Sequence, residues 1–461
     1  MPEKTEPAVV RPSNPLSDAI RSFANSLNAL RDFVNLVGSI LDEHQKKSLR
    51  KHRKALLTVL LGINAVLKKP QLSEAEAANI KKQLGGEVKL EVIGQNSVNI
   101  QLDHAEPKKN YIDAIKVITV ASKHQSLLYR SALISLISSA EWFLSQVFRE
   151  HLERYPETAG TKDKLLSLDE LKSFDSVGDA RKYIIDIRID EIMWGSLEDW
   201  IKYLTEKIKL SAGYLKPTKE RLTEIFQRRN VMVHNNGVAN SIYFHKVAAE
   251  FRPGISLGQE LTISPEYLRD GIDLIESNFI LLGAELWKQL DAKDEDRGAA
   301  IANVAFERLS EERWTVAETL SNFLRADKQL PERFQLIGLL NYWQSLKWGG
   351  RFDEVKSDIE SADFSAKDEL FQIGRYALLD DVENFVKLLP IVLGADKLDE
   401  EKLVTWPIFK EMVKTERVSE FLKLRKQDTK STQHEEAGIS KPEDSEPAGE
   451  NARKQKSAIS D

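Results

Sequence analysis

The sequence predicts a mainly α-helical protein, and three observations support that prediction. Apolar residues recur at helical spacing through most of the chain. The segment from Leu127 to Leu152 is apolar almost all round, which is typical of a central helix in a bundle. The alternation that indicates strands is convincing only between Val88 and Leu102. We therefore expect a helical bundle, a small β-hairpin N-terminal to it and a C-terminal domain that resembles helical repeats.

The composition limits the classes of function. The 461 residues include 66 Lys and Arg against 72 Asp and Glu, so any surface that binds nucleic acid must be local. The chain has no cysteine, which excludes disulfides, thiolate metal sites and cysteine nucleophiles. The N-terminus lacks the regions of a signal peptide, and the longest apolar run, residues 55–67, is too short to span a bilayer. We expect a soluble, cytoplasmic protein without a membrane partner.

The N-terminal region, residues 15–108, is expected to combine helices with the hairpin. Residues 1–14 are rich in proline and charge and are predicted to be disordered. The hairpin occupies residues 88–102, with a polar turn at its centre. Residues 104–110 are interpreted as a polar linker to the next domain. The helical periodicity before the hairpin predicts three helices: Leu16–Leu41, Lys47–Leu67 and Ser73–Leu84.

The second region, residues 109–292, is predicted to be a helical bundle built around the apolar segment. Ser131, Ser135 and Ser138 form a stripe of small residues on that helix, which would let another helix pack closely. Glu141 is the conspicuous charge in the same segment. It is either a surface residue or partner of a basic group, or a residue that orients an arginine in a polar cleft.

The third region, residues 298–424, is predicted to contain paired short helices. Similar turn sequences recur about three to four dozen residues apart, the period expected of helix-pair repeats. The recurring turns begin at Arg313, Gly350, Asp381 and Arg417. The pattern resembles tetratricopeptide repeats, and an irregular helical domain is the alternative. The tail, residues 425–461, has no aromatic residue and is predicted to be disordered.

One helix carries an arginine where an apolar residue is expected. The helix is predicted to begin after Thr218, a suitable N-cap, and its apolar stripe includes Leu222 and continues to Val233. Arg229 follows Leu222 by seven residues, so it lies within the stripe. A guanidinium on a buried face costs free energy unless it is paired or faces a polar cleft.

No other segment of the chain carries a recognisable chemical motif. The sequence contains no GxGxxG, no phosphate-binding loop of the Walker type, no GxSxG and no HExxH. Its eight histidines are scattered without the spacing of metal ligands, so neither a metal nor a cofactor is expected. The helix that carries Arg229 is therefore the candidate for a site.

The sequence RNVMVH at residues 229–234 resembles the RxxxxH signature of HEPN domains, in which an arginine and a histidine lie near the end of a helix in a small bundle. Asn235, Asn236 and Gly237 continue the resemblance, and Asn240, Tyr243 and the upstream helix with Glu141 add to it. The resemblance covers residues 111–290. It implies a metal-independent endoribonuclease in which two copies pair and their motifs line one cleft. Ribonucleases of this kind resemble toxins and antiviral-defence effectors.

The resemblance implies a role for each residue of the motif. His234 would act as the general acid and base, since imidazole changes charge near neutral pH. Arg229 would stabilise the phosphate as a permanent cation, and Asn230 would orient the imidazole or the substrate. The possible supporting residues are Glu141, Asn235 and Tyr243. The expected partners are RNA and a second copy of the chain.

The spacing of the motif leaves alternatives open. Five residues along an ideal helix place Arg229 and His234 about 140° apart, whereas Asn230 and His234 share a face. Either the helix loosens at residues 235–237, or a second subunit completes the site. Arg229 could also form an ion pair with Glu141 without any catalytic role. The functional alternatives are a bundle that binds RNA or a nucleotide without cutting, and a scaffold that binds a protein partner through residues 298–424.

Overall fold

The described chain is mainly α-helical, as the sequence predicts. This computed structural model describes residues 14–51, 53, 56–58, 61, 73–84, 88–93, 97–102, 105–159, 166–395 and 397–425. The segments predicted to be disordered, residues 1–14 and 425–461, lie outside these ranges except for residues 14 and 425. The chain divides into two compact units between Phe352 and Asp353.

The first unit contains twelve α-helices and two strands among its described residues. In chain order they are α1 (Pro15–Lys51), α2 (Glu74–Leu84), β1 (Val88–Ile93), β2 (Ser97–Leu102), α3 (Ala105–Arg154), α4 (Leu168–Lys172), α5 (Val177–Met193), α6 (Leu197–Lys202), α7 (Lys219–His234), α8 (Ser241–Lys246), α9 (Pro265–Leu290), α10 (Glu295–Ser310), α11 (Trp314–Ala326) and α12 (Glu332–Trp348). The strands pair antiparallel, with Val88 opposite Leu102 and Ile93 opposite Ser97.

The core of the first unit lies between the long helices α1, α3 and α9. The ring of Phe23 stacks on Phe143 with centroids 4.6 Å apart and lies 6.3 Å from Phe279. Gly283 permits this packing, because a Cβ atom there would lie 2.8 Å from the Phe143 ring. Residues Lys123–Arg154 of α3 are long and apolar enough to cross a membrane, but half of that segment's apolar window is buried in the unit. This burial is typical of a central bundle helix.

Two helix boundaries predicted from the sequence are wrong. The break predicted between Leu41 and Lys47 does not exist, because α1 continues to Lys51. The predicted linker at residues 104–110 is likewise helical from Ala105 onward. Neither segment contains an interior glycine, and Pro107 lies in the first turn of α3, where proline is tolerated. Both segments are polar and therefore resembled loops.

The division between the compact units differs from the domain boundary that the sequence predicts near residues 292–298. The charged segment there is folded, because Arg297 is fully buried and donates to the carbonyl of Asp291 at 2.8 Å and to Asp327 Oδ2 at 3.0 Å. Arg308 then ties α10 to α1 and α9 through the Ala24 carbonyl at 3.1 Å and Glu276 Oε1 at 2.8 Å. Residues 298–352 therefore belong to the first unit.

The second unit, described by itself, has short helices around a small core. Its helices are α13 (Lys356–Ser361), α14 (Glu369–Leu378), α15 (Val382–Gly394) and α16 (Glu400–Thr405), followed by a helical segment at residues 416–425. Phe385 and Phe409 are fully buried, with ring centroids 5.7 Å apart.

The close packing of α11 against α12 predicts a strong effect of one methyl group. A Cβ atom at Gly338 would lie 2.6 Å from the Arg325 amide nitrogen and 3.0 Å from the Ser321 carbonyl oxygen. Backbone atoms cannot give way as side chains do, so we expect Gly338→Ala to lower the free energy of unfolding by about 2 kcal/mol. Urea denaturation measures this change. The matched variant Gly394→Ala, whose Cβ meets nothing within 4 Å, should not be destabilised.

Candidate functional site

The helix α7 carries the RxxxxH motif and is held by residues that the sequence analysis did not select. Thr218 occupies the N-cap position, but its hydroxyl donates to the Leu215 carbonyl at 3.2 Å and to Asn278 Oδ1 at 2.8 Å instead of capping the helix. Val233, assigned to the apolar stripe, is exposed. The most deeply buried charge on α7 is Glu224, with 0% of the residue exposed.

Glu224 is the centre of a buried polar cluster. Its carboxylate accepts four described hydrogen bonds, from Arg221 Nη1 at 3.1 Å, Arg228 Nε at 2.7 Å, the Tyr243 hydroxyl at 2.9 Å and the Tyr267 hydroxyl at 2.7 Å. A buried carboxylate is tolerated only when it is paired and hydrogen-bonded in this way. The cluster therefore fixes α7 against α8 and α9. The i, i+4 spacing of Glu224 and Arg228 is the sequence signal that could have revealed it.

The cluster also places Tyr243, one of the predicted supporting residues. Its hydroxyl contacts Glu224 within the core, whereas its backbone amide donates to Asn240 Oδ1 at 3.0 Å, where Asn240 caps α8. Tyr243 thus stabilises the helix arrangement and has no described contact with Arg229 or His234.

Burial and the neighbouring Glu224 carboxylate raise the pKa of Tyr243 to about 12. An unfolded tyrosine loses its proton near pH 10, so the unfolded state ionises first and the free energy of unfolding falls as the pH rises from about 10 to about 12. We expect the free energy of unfolding of Tyr243→Phe to fall by about 2 kcal/mol less than that of the wild type over this pH range. Tyr267, whose pKa is raised in the same direction by burial, accounts for part of the remaining slope. Denaturation curves between pH 8 and pH 12 would measure it, and an unchanged slope would contradict the expectation.

Arg229 forms the ion pair that the sequence analysis offered as its structural alternative. One guanidinium nitrogen of Arg229 donates to Glu141 Oε1 on α3. The pair is not sealed from solvent, because 18% of the Arg229 side chain and 32% of the Glu141 side chain are exposed. Burial lowers the pKa of Arg229, but a guanidinium remains charged at neutral pH.

His234 is the last residue of α7 and is exposed. The helix is regular to its end, since the Asn235 amide donates to the Val231 carbonyl at 2.9 Å. The chain turns only afterwards, where Asn236 and Gly237 have φ values of +49° and +81°. The helix therefore does not loosen before His234. Within one chain, Arg229 faces α3 and His234 faces solvent.

Arg130 joins α3 to the end of α7 and was missed by the sequence analysis. Its Nη1 donates to Asn236 Oδ1 at 3.1 Å, and its Nη2 donates to the carbonyl of Met232. A cation at a helix C-terminus is favourable, because it satisfies free carbonyl groups and opposes the helix dipole. Arg130 and Glu141 are eleven residues apart, about three helical turns, so one face of α3 contacts α7 twice.

The remaining residues of the motif divide between the turn and the exposed face. The side-chain amide of Asn235 donates to the Val238 carbonyl and so stabilises the turn after α7. Asn230 is half-buried and lies four residues before His234, on the same face of the helix. Asn230 and His234 have no hydrogen bond between side chains in the described part of the chain. They are nevertheless the two predicted catalytic residues that α7 brings to one face.

The face of α3 beside Glu141 is open. Ser131, Ser135 and Ser138 are exposed, as is Trp142, so no described helix of this chain covers the predicted small-residue stripe. The described residues contain no group of three or more His, Asp or Glu side chains arranged to hold a metal ion. Comparison of the chain with protein-family models, with curated proteins and with solved structures gives no match.

Proposed function

We propose that the protein is a metal-independent endoribonuclease that resembles the HEPN ribonucleases and acts as a homodimer. The observation that carries the proposal is the position of His234 at the exposed end of α7, one turn from Asn230, while Arg229 stays partly exposed on a different face of the same helix. These residues supply an acid–base group and a permanent cation at one end of a rigid helix. The Glu224 cluster and Arg130 support that helix from both sides.

The chemistry needs only groups that this chain and RNA supply. His234 would accept the proton of the 2′-hydroxyl as its oxygen attacks the adjacent phosphorus, and a proton would return to the leaving 5′-oxygen. Arg229 would stabilise the negative charge that develops on the phosphate. The products are a 2′,3′-cyclic phosphate and a 5′-hydroxyl end.

A second copy of the chain is part of the proposal. Arg229 and His234 diverge by about 140° on one regular helix, so a single copy does not direct both at one phosphate. The exposed serine stripe of α3 beside the Arg229–Glu141 pair offers a face of small side chains on which a symmetric copy can pack closely. A composite site would then take Arg229 from one subunit and His234 from the other.

The principal alternative is a helical bundle that binds RNA or a nucleotide without cutting it, or that serves as a scaffold. The ion pair between Arg229 and Glu141 favours this alternative, because it accounts for Arg229 without catalysis. The resemblance to HEPN ribonucleases implies a cytoplasmic toxin or antiviral-defence effector, and residues 298–424, whose sequence pattern resembles tetratricopeptide repeats, would bind a protein partner.

Incubation of the purified protein with single-stranded RNA in the presence of EDTA tests the proposal. We expect chelator-resistant cleavage that leaves 2′,3′-cyclic phosphate ends, which are resistant to direct ligation and are opened by a cyclic phosphodiesterase. Binding of RNA without any cleavage would favour the non-catalytic bundle. A partner captured by the intact protein but not after deletion of residues 353–425 would favour the scaffold.

A further inference from the structure

An open cleft of about 320 Å³ adjoins the first half of α7, between α6 and α8. Its lining includes Ser196 from the start of α6, Lys219, Thr223 and Gln227 from α7, and His245 and Lys246 from α8. The ribonuclease proposal uses none of these residues. The volume is at the lower end of the range of small-molecule sites, about 300–1,000 Å³.

The cleft lies on the same face of α7 as His234. Thr223, Gln227, Asn230 and His234 follow one another at intervals of four, three and four residues, which keeps them within about 60° around an ideal helix. Gln227 and His234 are two turns apart, about 10 Å along the axis. A strand that occupies the cleft can therefore continue along this face to His234.

Gln227 is a buried polar side chain without a partner. It is 8% exposed, and its carboxamide has no hydrogen bond with any residue that the structure describes. The carboxamide is not sealed from solvent, because it opens onto the cleft, so a ligand there would replace water as its hydrogen-bond partner. A carboxamide has adjacent donor and acceptor groups, which match the hydrogen-bonding edge of a nucleobase.

The charged side chains at the rim of the cleft suit the phosphate and the base of a nucleotide. Lys246 has no ion pair within 4 Å among the described residues, although its charge interacts with the Asp199 carboxylate at longer range. Exposed His245 is its neighbour, and both can contact a phosphate. Lys219 is only loosely paired, 3.9 Å from Glu198. The carboxylates of Glu198 and Glu220 also line the cleft and can accept hydrogen bonds from amino groups of a base.

Trp194 is a second, independent feature that lies near the cleft in sequence, although it does not line it. It is 91% exposed, which is unusual for tryptophan, and it precedes the cleft residue Ser196 by two positions. Its Cα therefore lies within about 8 Å of that of Ser196. Exposed aromatic rings are stacking surfaces on which single-stranded nucleic acids bind, and the cleft beside Trp194 supplies lysines together with carboxylates.

We propose that this cleft binds one nucleotide of a single-stranded RNA, with its base against Gln227, its phosphate at Lys246 and the neighbouring base stacked on Trp194. The inference rests on the proposed ribonuclease function, because the RNA then runs along α7 to His234. The cleft positions the substrate and selects the base near the cut.

Fluorescence anisotropy with a labelled 2′-O-methyl oligonucleotide tests the cleft separately from catalysis, since that RNA analogue lacks the attacking hydroxyl. We expect Trp194→Ala and Gln227→Leu each to weaken binding at least about fivefold, the loss of one stacking or base contact. Lys246→Ala should weaken binding and reduce its salt dependence. The matched controls, Val177→Ala at another highly exposed apolar residue and Lys328→Ala at another exposed lysine, should bind like the wild type.

Three outcomes would overturn the inference. In the first, the wild type does not bind the oligonucleotide. In the second, Trp194→Ala and Gln227→Leu both bind it with wild-type affinity. In the third, Gln227→Leu loses binding of free mononucleotides but keeps its affinity for RNA. The last outcome would assign the cleft to a soluble nucleotide. Loss of cleavage has no bearing on these measurements. A protein that binds through the cleft but cuts no natural RNA would refute the ribonuclease and retain the nucleotide site.

Discussion

Replacement of His234 by alanine is expected to slow RNA cleavage by about 10²–10⁴-fold, the usual contribution of general acid–base catalysis. Arg229→Ala should slow it by about 10²–10³-fold, because the charge of the reacting phosphate loses its counter-ion. Arg229→Lys keeps the charge but not the planar fork of donors, so its rate should fall between those of the wild type and the alanine variant. The measurement is the initial rate of cleavage of a labelled RNA in EDTA.

The structure offers a matched control for each substitution. His124→Ala removes an exposed histidine on α3, and Arg149→Ala removes an arginine of the same helix that pairs with Asp186 at 2.7 Å. Both variants should cut at the wild-type rate. The stability of Arg229→Ala should also change little, since its partner Glu141 is partly exposed and is rehydrated easily. Undiminished cleavage by His234→Ala would refute the assigned roles.

A mixture of the two inactive variants is expected to recover activity. If each composite site takes Arg229 from one subunit and His234 from the other, a mixed dimer contains one site in which both residues are intact. Random exchange in an equal mixture should therefore restore about a quarter of the wild-type rate per dimer. The rate is measured after the variants have been mixed and incubated to exchange subunits.

The controls for complementation use the same two residues. Each variant incubated alone, and Arg229→Ala mixed with the double variant Arg229→Ala/His234→Ala, should remain inactive. Isotope-labelled subunits followed by native mass spectrometry would verify that exchange has occurred. If the mixture stays inactive after complete exchange, the composite site is contradicted. Each active site would then need Arg229 and His234 from one chain, or two intact copies of the motif.

Periodicity predicted the helices well and their ends poorly. The apolar repeat of α1 and α3 identified both. The polar segments at residues 42–46 and 104–110 were interpreted as breaks, although residues 42–46 and 105–110 are helical. An exposed helix face and a loop have similar compositions, and only glycine or an interior proline would have separated them. The charged segment near residue 297 was interpreted as a linker for the same reason, although Arg297 is buried and paired.

The sequence by itself determined the helical class and the faces of α7, since the helical period places Asn230 with His234 and sets Arg229 apart from both. It also suggested Glu141 as the partner of Arg229, which the structure confirms. Only the tertiary structure decided which charged residues of α7 are buried. Arg228 and Glu224 turn inward, because hydroxyl groups of Tyr243 and Tyr267 arrive from distant segments to satisfy them. Periodicity fixes which residues share a face, but the partners that make burial of that face possible come from elsewhere in the chain.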